Sequence, residues 1–300
     1  MILELGPRVA VIPGGVNIGV VRGDGDRLIL VDTGLNETNG RKALRTARDE
    51  VGGEVVAILT THAHADHFGA NAAVVKRTGA RVYAPLFDEV ALRYPLLQPI
   101  TLYGGADPLD TLRGGFLLAP PSPVDEIVVP GPLTVEGIEL DVVPLMGHSP
   151  GQVGYLVDGI FFCADVVLPE SVLAKYKIPY LFSVTDHLQA LARAATVPCQ
   201  KAVPGHGPLV DSLADLIALN RGLIERVTEQ IVRLAAEPTT AEAILTGVLR
   251  HFEAVITDAA GYYLLQPTAL AFLTHLHREG RMRHEVRNGQ SLWQSKGESA

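Results

Sequence analysis

Short apolar runs separated by turn residues make up the first part of the chain. Residues 9–12, 16–21 and 27–31 are mainly apolar, and clusters of glycine, proline and aspartate lie between them. Runs of this length between such clusters are typical of β-strands joined by tight turns. The pattern therefore predicts a β-meander over residues 1–31.

Helical and strand patterns alternate in the segment that follows. Residues 41–51 and 68–75 have helical patterns, whereas residues 55–59 and 81–84 are short apolar runs typical of buried strands. An alternation of strand and helix predicts a sheet with helices covering one face.

A second group of strand patterns begins near residue 133. Glu136-Gly137 predicts a hairpin turn, and Ser183 with Asp186 resembles a capping box for a helix that runs to Ala195. The predicted strands cover residues 133–143, 151–157, 160–163 and 201–203.

Helical periodicity dominates after residue 210. Pro267 lies near the middle of the third helical pattern or marks a break in it, and Arg287-Asn288-Gly289 is a β-hairpin signal. The predicted helices cover residues 211–236, 240–252 and 262–278. Helices followed by a hairpin resemble a winged helix. We therefore predict a first domain at residues 1–210 and a helical, winged-helix-like domain at residues 211–300.

Residues 94–130 follow no regular period. The segment combines paired glycines and prolines with interspersed leucine, tyrosine and phenylalanine. A loop of this length inside a compact domain is usually functional or disordered, and its apolar content is untypical of disorder. We interpret it as a flap beside the active site, in which Tyr103 and Phe116 contact an apolar part of the substrate. A segment packed elsewhere, or a homodimer contact, is the alternative.

Composition restricts the class of protein. The chain has 300 residues, of which 47% are hydrophobic and 19% charged, and a net charge of −8. A uniformly acidic chain does not favour general nucleic-acid binding. Cys163 and Cys199 are the only cysteines, so free thiols in a reducing compartment are expected. No apolar run approaches the length of a membrane span. We predict a cytoplasmic protein without a membrane partner.

The densest chemistry lies in the segment after the apolar run at residues 55–59. Thr61-His62-Ala63-His64-Ala65-Asp66-His67 places three imidazoles and one carboxylate within six residues. Alternate side chains of an extended segment share a side, so His62 and His64 can reach one metal together. Imidazole and carboxylate are ligands of Zn²⁺. The segment therefore predicts a metal site.

The pattern H-x-H-x-D-H resembles the metallo-β-lactamase fold superfamily. The family implies two further histidines and a bridging aspartate downstream, and His148, Asp165 and His206 stand at the ends of apolar runs in that order. The resemblance covers residues from about 10 to 210 and implies an αββα sandwich. With the helical tail, the fold class is α+β, similar to lactamase-like hydrolases with a winged-helix tail and to the glyoxalase II-like branch.

The resemblance also implies a role for each residue. His62, His64 and His148 would hold a first metal, and Asp66, His67 and His206 a second. Asp165 would bridge the two, and Asp66 and Asp165 would be the catalytic carboxylates. Asp32, at the end of a predicted strand, would orient the site from behind its ligands. Two zinc ions are expected, with iron or manganese as alternatives.

A small-molecule hydrolase of a thioester, ester or lactone is the function that these residues favour. Tyr176 and Tyr180, after the bridging aspartate, are further candidates for substrate contact. The alternative is an endoribonuclease or phosphodiesterase that binds single-stranded RNA through the tail. Residues 221–300 carry nine basic and nine acidic residues. This balance favours packing or dimerisation over phosphate contact.

Overall fold

The first part of the chain builds a seven-stranded sheet. The computed structural model describes residues 2–297. The strands are β1 (Leu3–Glu4), β2 (Val9–Ile12), β3 (Ile18–Arg22), β4 (Arg27–Val31), β5 (Glu54–Leu59), β6 (Arg81–Pro85) and β7 (Glu126–Val128). They lie in chain order, antiparallel from β1 to β4 and parallel from β4 to β7. The predicted meander and the alternating segment are therefore confirmed.

Helices cover the outer face of this sheet. The helices of this part are α1 (Glu37–Thr46), α2 (Ala65–Phe68), α3 (Asn71–Thr78), α4 (Asp88–Arg93) and α5 (Leu97–Leu102). A π-helical turn, Ala47–Val51, continues α1 to the end of the predicted helix. The Asn36 side chain caps α1 by accepting hydrogen bonds from two backbone N–H groups of its first turn.

A second sheet of five strands follows. Its strands are β8 (Gly131–Val135), β9 (Ile138–Pro144), β10 (Val153–Val157), β11 (Ile160–Ala164) and β12 (Lys201–Pro204). They lie in the order β12-β11-β10-β9-β8, and only the pair β11–β12 is parallel. Helices α6 (Glu170–Tyr176) and α7 (Val184–Ala194) connect β11 to β12. The hydroxyl of Ser183 accepts from the N–H of Asp186, as the capping pattern predicted.

Three hydrophobic layers hold these parts together. Alternate residues of both sheets, such as Ile29 and Tyr155, meet in the central layer. Residues such as Val74 fill the layer between the first sheet and its helices, and Leu191 belongs to the layer outside the second sheet. The order helix, sheet, sheet, helix is the predicted αββα sandwich.

The C-terminal segment consists of three helices and a hairpin. They are α8 (Ala214–Leu234), α9 (Ala241–His251), α10 (Ala259–Arg278), β13 (Met282–Arg287) and β14 (Gln290–Ser295). Helix α10 passes through Pro267 without a break. Phe272 of α10 and Phe161 of β11 belong to one continuous core. Because this core crosses residue 210, the division into two domains stays a prediction.

Residues 94–130 are irregular only in part, because their central leucines pack against the C-terminal segment whereas Glu126–Val128 form β7 of the first sheet. Besides α5 they contain two short 3₁₀ turns, Asp110–Leu112 and Gly115–Leu117. Buried leucines of the segment contact Tyr263 and Leu264 of α10. Among the described residues, no helix is both long and apolar enough to cross a membrane.

Candidate metal centre

Five chain segments deliver the candidate ligands to one place between the sheets. The loop after β5 carries His62 and His64, and α2 carries Asp66 and His67. His148 follows β9, Asp165 follows β11 and His206 follows β12. The structure thus brings together all seven residues that the motif and its resemblance indicated.

His62, His64 and His148 form the first cluster. Nδ1 of His64 lies 3.1 Å from Nε2 of His62 and 2.9 Å from Nε2 of His148. Burial lowers the pKa of His64 to about 4 and that of His148 to about 3, and it lowers the pKa of His62 well below its usual value. Three neutral imidazoles with converging nitrogens are suited to a divalent cation.

Asp66, His67 and His206 form the second cluster, and all their ligand atoms lie within 4.8 Å of one another. Burial, the largest single influence, would lower the pKa of both histidines, but the charge of Asp165 together with neighbouring carboxylates and hydrogen bonds outweighs it. The pKa of His206 is raised to about 10, and that of His67 lies well above its usual value. For Asp66, burial would raise the pKa, but the charge of His67 together with the hydrogen bond to His206 lowers it to about 2.

Asp165 contacts both clusters. Its Oδ2 lies 3.5 Å from Nε2 of His148 and 3.3 Å from Nε2 of His206, and its Oδ1 lies 3.4 Å from Nε2 of His67. Burial would raise its pKa, but the charges of His67 and His206 hold it well below the usual value. A single carboxylate therefore faces the nitrogen atoms of both groups.

The donor set fits a pair of divalent cations. Nε2 of His67 and Oδ1 of Asp165 are buried and make no hydrogen bond. Buried polar atoms without partners are rare, because each costs free energy when it leaves water. Two cations would satisfy these atoms and would replace the protons on His67 and His206.

Asp32 supports the site from behind its ligands. One of its oxygens accepts from the backbone N–H of Thr61 at 2.8 Å, and the other lies 2.7 Å from Nδ1 of His67 and 2.8 Å from the Thr61 hydroxyl. The backbone of Asp32 has a φ of 61°. Strain of this kind persists only where surrounding contacts hold it. The contacts of Asp32 are those expected of a residue that orients His67.

Backbone carbonyls orient two other histidines. Nδ1 of His206 lies 2.6 Å from the carbonyl oxygen of Gly15, and Nδ1 of His148 lies 3.1 Å from that of Tyr180. Each ring therefore donates to the backbone and presents Nε2 to the cluster. Sequence reasoning missed both contacts, because a carbonyl acceptor leaves no side-chain signal.

Asp88 is a buried carboxylate that sequence reasoning also missed. It accepts hydrogen bonds from the N–H groups of Ala63 at 2.7 Å and Gly151 at 2.5 Å. Burial raises the pKa of Asp88 to about 6. In the sequence it is an ordinary acidic residue in the first turn of a helix, so no local signal distinguishes it.

The four aromatic residues predicted to contact substrate have different surroundings. Phe116 and Tyr176 line a groove of about 370 Å³ that reaches Asp66, and both are more than half exposed. The ring of Tyr180 lies 5.3 Å from that of His64. Tyr103 does not line this groove, because its ring packs 4.7 Å from that of Tyr263. The flap thus places Phe116 in the groove and packs Tyr103 against Tyr263.

Comparison with known proteins gives a consistent picture. The sequence model of the metallo-beta-lactamase superfamily matches residues 11–206. A hydroxyacylglutathione hydrolase of Albidiferax ferrireducens is 25% identical over 229 residues, which are 71% of this chain and 76% of that protein. One of Thiobacillus denitrificans is 30% identical over 124 residues, 41% of this chain and 38% of that protein.

Solved structures share the fold over the whole chain. A beta-lactamase domain protein from Burkholderia ambifaria has a TM-score of 0.77 at 21% identity, covering 98% of this chain and 93% of its own. A metallo-beta-lactamase family protein from Thermus thermophilus has a TM-score of 0.75 at 20% identity, covering 98% and 100%. At these identities the likeness concerns the fold alone.

Proposed function

The chain belongs to the metallo-beta-lactamase superfamily, and from this premise we propose that it is a dinuclear hydrolase of a small-molecule thioester, ester or lactone. The observation that carries the proposal is the position of Asp165. Its two oxygens face imidazole nitrogens of both clusters at 3.3 to 3.5 Å. A carboxylate in this position can bridge two cations, and two-cation sites catalyse hydrolysis.

The proposed ligand sets follow the two clusters. His62, His64 and His148 hold the first cation, Asp66, His67 and His206 hold the second, and Asp165 belongs to both. Zinc is the proposed metal because imidazole and carboxylate suit it, although the same donors accept iron or manganese. When bound, the cations supply a nucleophilic hydroxide at neutral pH and polarise the carbonyl oxygen.

The side chains contribute proton transfer and orientation. Asp66 is ionised, since its pKa is held at about 2, and it lines the groove beside the clusters. It can take a proton from the attacking water and pass it to the leaving sulfur or oxygen. The exposed rings of Phe116 and Tyr176 offer an apolar wall to the substrate in the groove.

The relatives favour a thioester among the three substrate classes. Hydroxyacylglutathione hydrolases, by their name, act on thioesters of glutathione. Both thiols of this chain are free, in accordance with the cytoplasmic location that we propose.

The RNA alternative finds no support in the charges of the tail. Arg281 lies 3.8 Å from Glu279, and Arg287 lies 3.6 Å from Glu285. Arg283 donates to the side chain of Gln294. Phosphate binding requires cations that are not already compensated, and two of these three arginines are paired with glutamates of the tail.

Metal analysis combined with a substrate panel tests the proposal. We expect two divalent cations per chain and turnover of thioesters, esters or lactones that chelation abolishes and zinc restores. The panel also contains β-lactams, bis-p-nitrophenyl phosphate and single-stranded RNA. A purified protein that binds no divalent metal would overturn the proposal. Cleavage of RNA or the phosphodiester in preference to every ester would also overturn it.

A further inference from the structure

Asp88 connects the two loops that carry the ligands of the first cation. Its side chain is only 3% exposed. It accepts from the N–H of Ala63, the residue between His62 and His64. It also accepts from the N–H of Gly151, three residues after His148. A buried carboxylate with two backbone donors fixes the distance between those donors, because leaving either unpaired is costly.

The neighbouring backbone is adapted to this carboxylate at two points. Phe87 has a φ of 72°, which is unfavourable for a bulky residue, and its side chain is 65% exposed, so packing of the ring does not explain the conformation. A Cβ atom on Gly151 would lie 2.6 Å from Oδ2 of Asp88 and would overlap the carbonyl oxygen of Leu86. Only glycine lets the second loop approach this closely.

We propose that Asp88 is a positioning residue for the first cation, holding the loop of His62 and His64 at the required distance from the loop of His148. This inference rests on the proposed dinuclear site. The second cation does not depend on Asp88 in the same way. Asp32 orients His67, and the Gly15 carbonyl orients His206.

A positioning role predicts weaker binding of only the first cation, whereas a general structural role would weaken the binding of both. In Asp88→Asn the remaining side-chain oxygen can still accept from one backbone N–H. The NH₂ group replaces the other oxygen and faces the second backbone N–H, so that two donors meet without an acceptor. We expect the first cation to bind on the order of 10- to 100-fold more weakly, a range typical of residues that orient metal ligands. The second cation should bind as in the unsubstituted protein.

Asp125→Asn is the control for loss of a carboxylate that accepts from a backbone N–H. Asp125 is exposed and accepts from the N–H of Val82 in β6 at 2.8 Å, outside the ligand loops. The variant should bind both cations normally. Titration with Co²⁺ gives the stoichiometry and an absorption spectrum for each protein. The spectrum of Asp88→Asn at low Co²⁺ should match that of His148→Ala, which lacks a first-cluster ligand, and differ from that of His206→Ala.

A readout on the metal-free protein completes the test. Hydrogen exchange at residues 61–66 and 149–153 should be faster in Asp88→Asn than in the unsubstituted protein and unchanged in Asp125→Asn. Should Asp88→Asn fail to fold, Gly151→Ala displaces the same carboxylate together with the Leu86 carbonyl and should weaken the same cation. Unaltered binding of both cations in these variants, or parallel loss of both, would overturn the inference. An unsubstituted protein that binds no metal would instead overturn the proposed function.

Discussion

A methyl group on Gly205 should impair the metal centre without removing a single ligand. Gly205 precedes His206, and a Cβ atom built on it would overlap Oδ1 of Asp165 and lie 2.9 Å from Cε1 of His67. The backbone cannot easily withdraw. The N–H of Gly205 donates to the carbonyl oxygen of Ala164, and the carbonyl oxygen of Gly205 accepts from the N–H of Asn17, both at 2.8 Å. The carboxylate of Asp165 must therefore move in Gly205→Ala, by about 1.5 Å to reach an ordinary contact distance.

The size of the effect follows from the cost of that overlap. Inserting a methyl group into a closely packed site costs about 1–3 kcal/mol. The metal-free protein can relieve this strain by turning Asp165 away, whereas the loaded protein needs the carboxylate between the clusters. Since about 1.4 kcal/mol corresponds to a factor of ten, we expect the cations to bind roughly 5- to 150-fold more weakly. A displacement of this size also lowers the rate by about 100-fold.

Gly15→Ala is the control for the same region. The carbonyl oxygen of Gly15 accepts from His206, but an added Cβ would meet no atom within 4 Å, and its φ lies outside the left-handed region. Metal content by mass spectrometry, competitive titration with a chromogenic chelator and thermal unfolding of the metal-free protein distinguish the variants. If Gly205→Ala kept both cations with the affinity of Gly15→Ala, Asp165 would not occupy the position that we assign to it.

Four further outcomes are expected. Asp165→Ala should lose metal and at least about 100-fold in turnover, because both cations share this ligand; retained metal content and turnover would contradict its role. Loading the metal-free protein at pH 7.5 should release about three protons: two because the raised pKa values keep His67 and His206 protonated until a cation replaces the proton, and one from the water that ionises to the proposed hydroxide. The affinity for the cations should therefore rise with pH. Calorimetry in buffers of different ionisation enthalpy should show that His206→Ala releases about one proton fewer on metal binding. Heats of binding that do not depend on the buffer would contradict this explanation. Tyr180→Phe should retain both cations, since phenylalanine keeps both the ring beside His64 and His148 and the backbone carbonyl that accepts from His148, and loss of metal would show that the hydroxyl supports the site. Single-stranded RNA should not bind at low salt in a fluorescence anisotropy titration, and measurable binding that weakens with salt would revive the RNA alternative.

The parts of the site that sequence reasoning located are those with a local signal. The ligands stand where apolar runs end, and the carboxyl-terminal ends of β5, β11 and β12 do carry His62, Asp165 and His206. The fold class followed from the resemblance that the motif carries, and the alternation of strand and helix patterns agreed with it. The assignment of two carboxylates and five imidazoles to two cations came from the same resemblance.

Other features depend on packing between distant segments, and no local pattern encodes it. The prediction that Tyr103 contacts substrate considered only the flap. In the structure the ring of Tyr103 packs against Tyr263 of α10, which is distant in sequence. The continuous core between the second sheet and the C-terminal helices likewise arises from contacts across residue 210. Asp88 can be buried because two loops that are far apart in sequence donate backbone hydrogen bonds to its side chain.

Asp32 and Asp88 act on the same ligand loop at positions on either side of His62. Asp32 accepts from the N–H of Thr61, and Asp88 accepts from the N–H of Ala63. Because His62 lies between these two anchored amides and is fully buried, its ring has little freedom to turn away when no metal is bound. The two carboxylates also place negative charge close to the site, which favours cations over the protons they displace. Preorganisation of this kind lowers the reorganisation that metal binding requires, and it accounts for the burial of two acidic residues that lie outside the proposed ligand set.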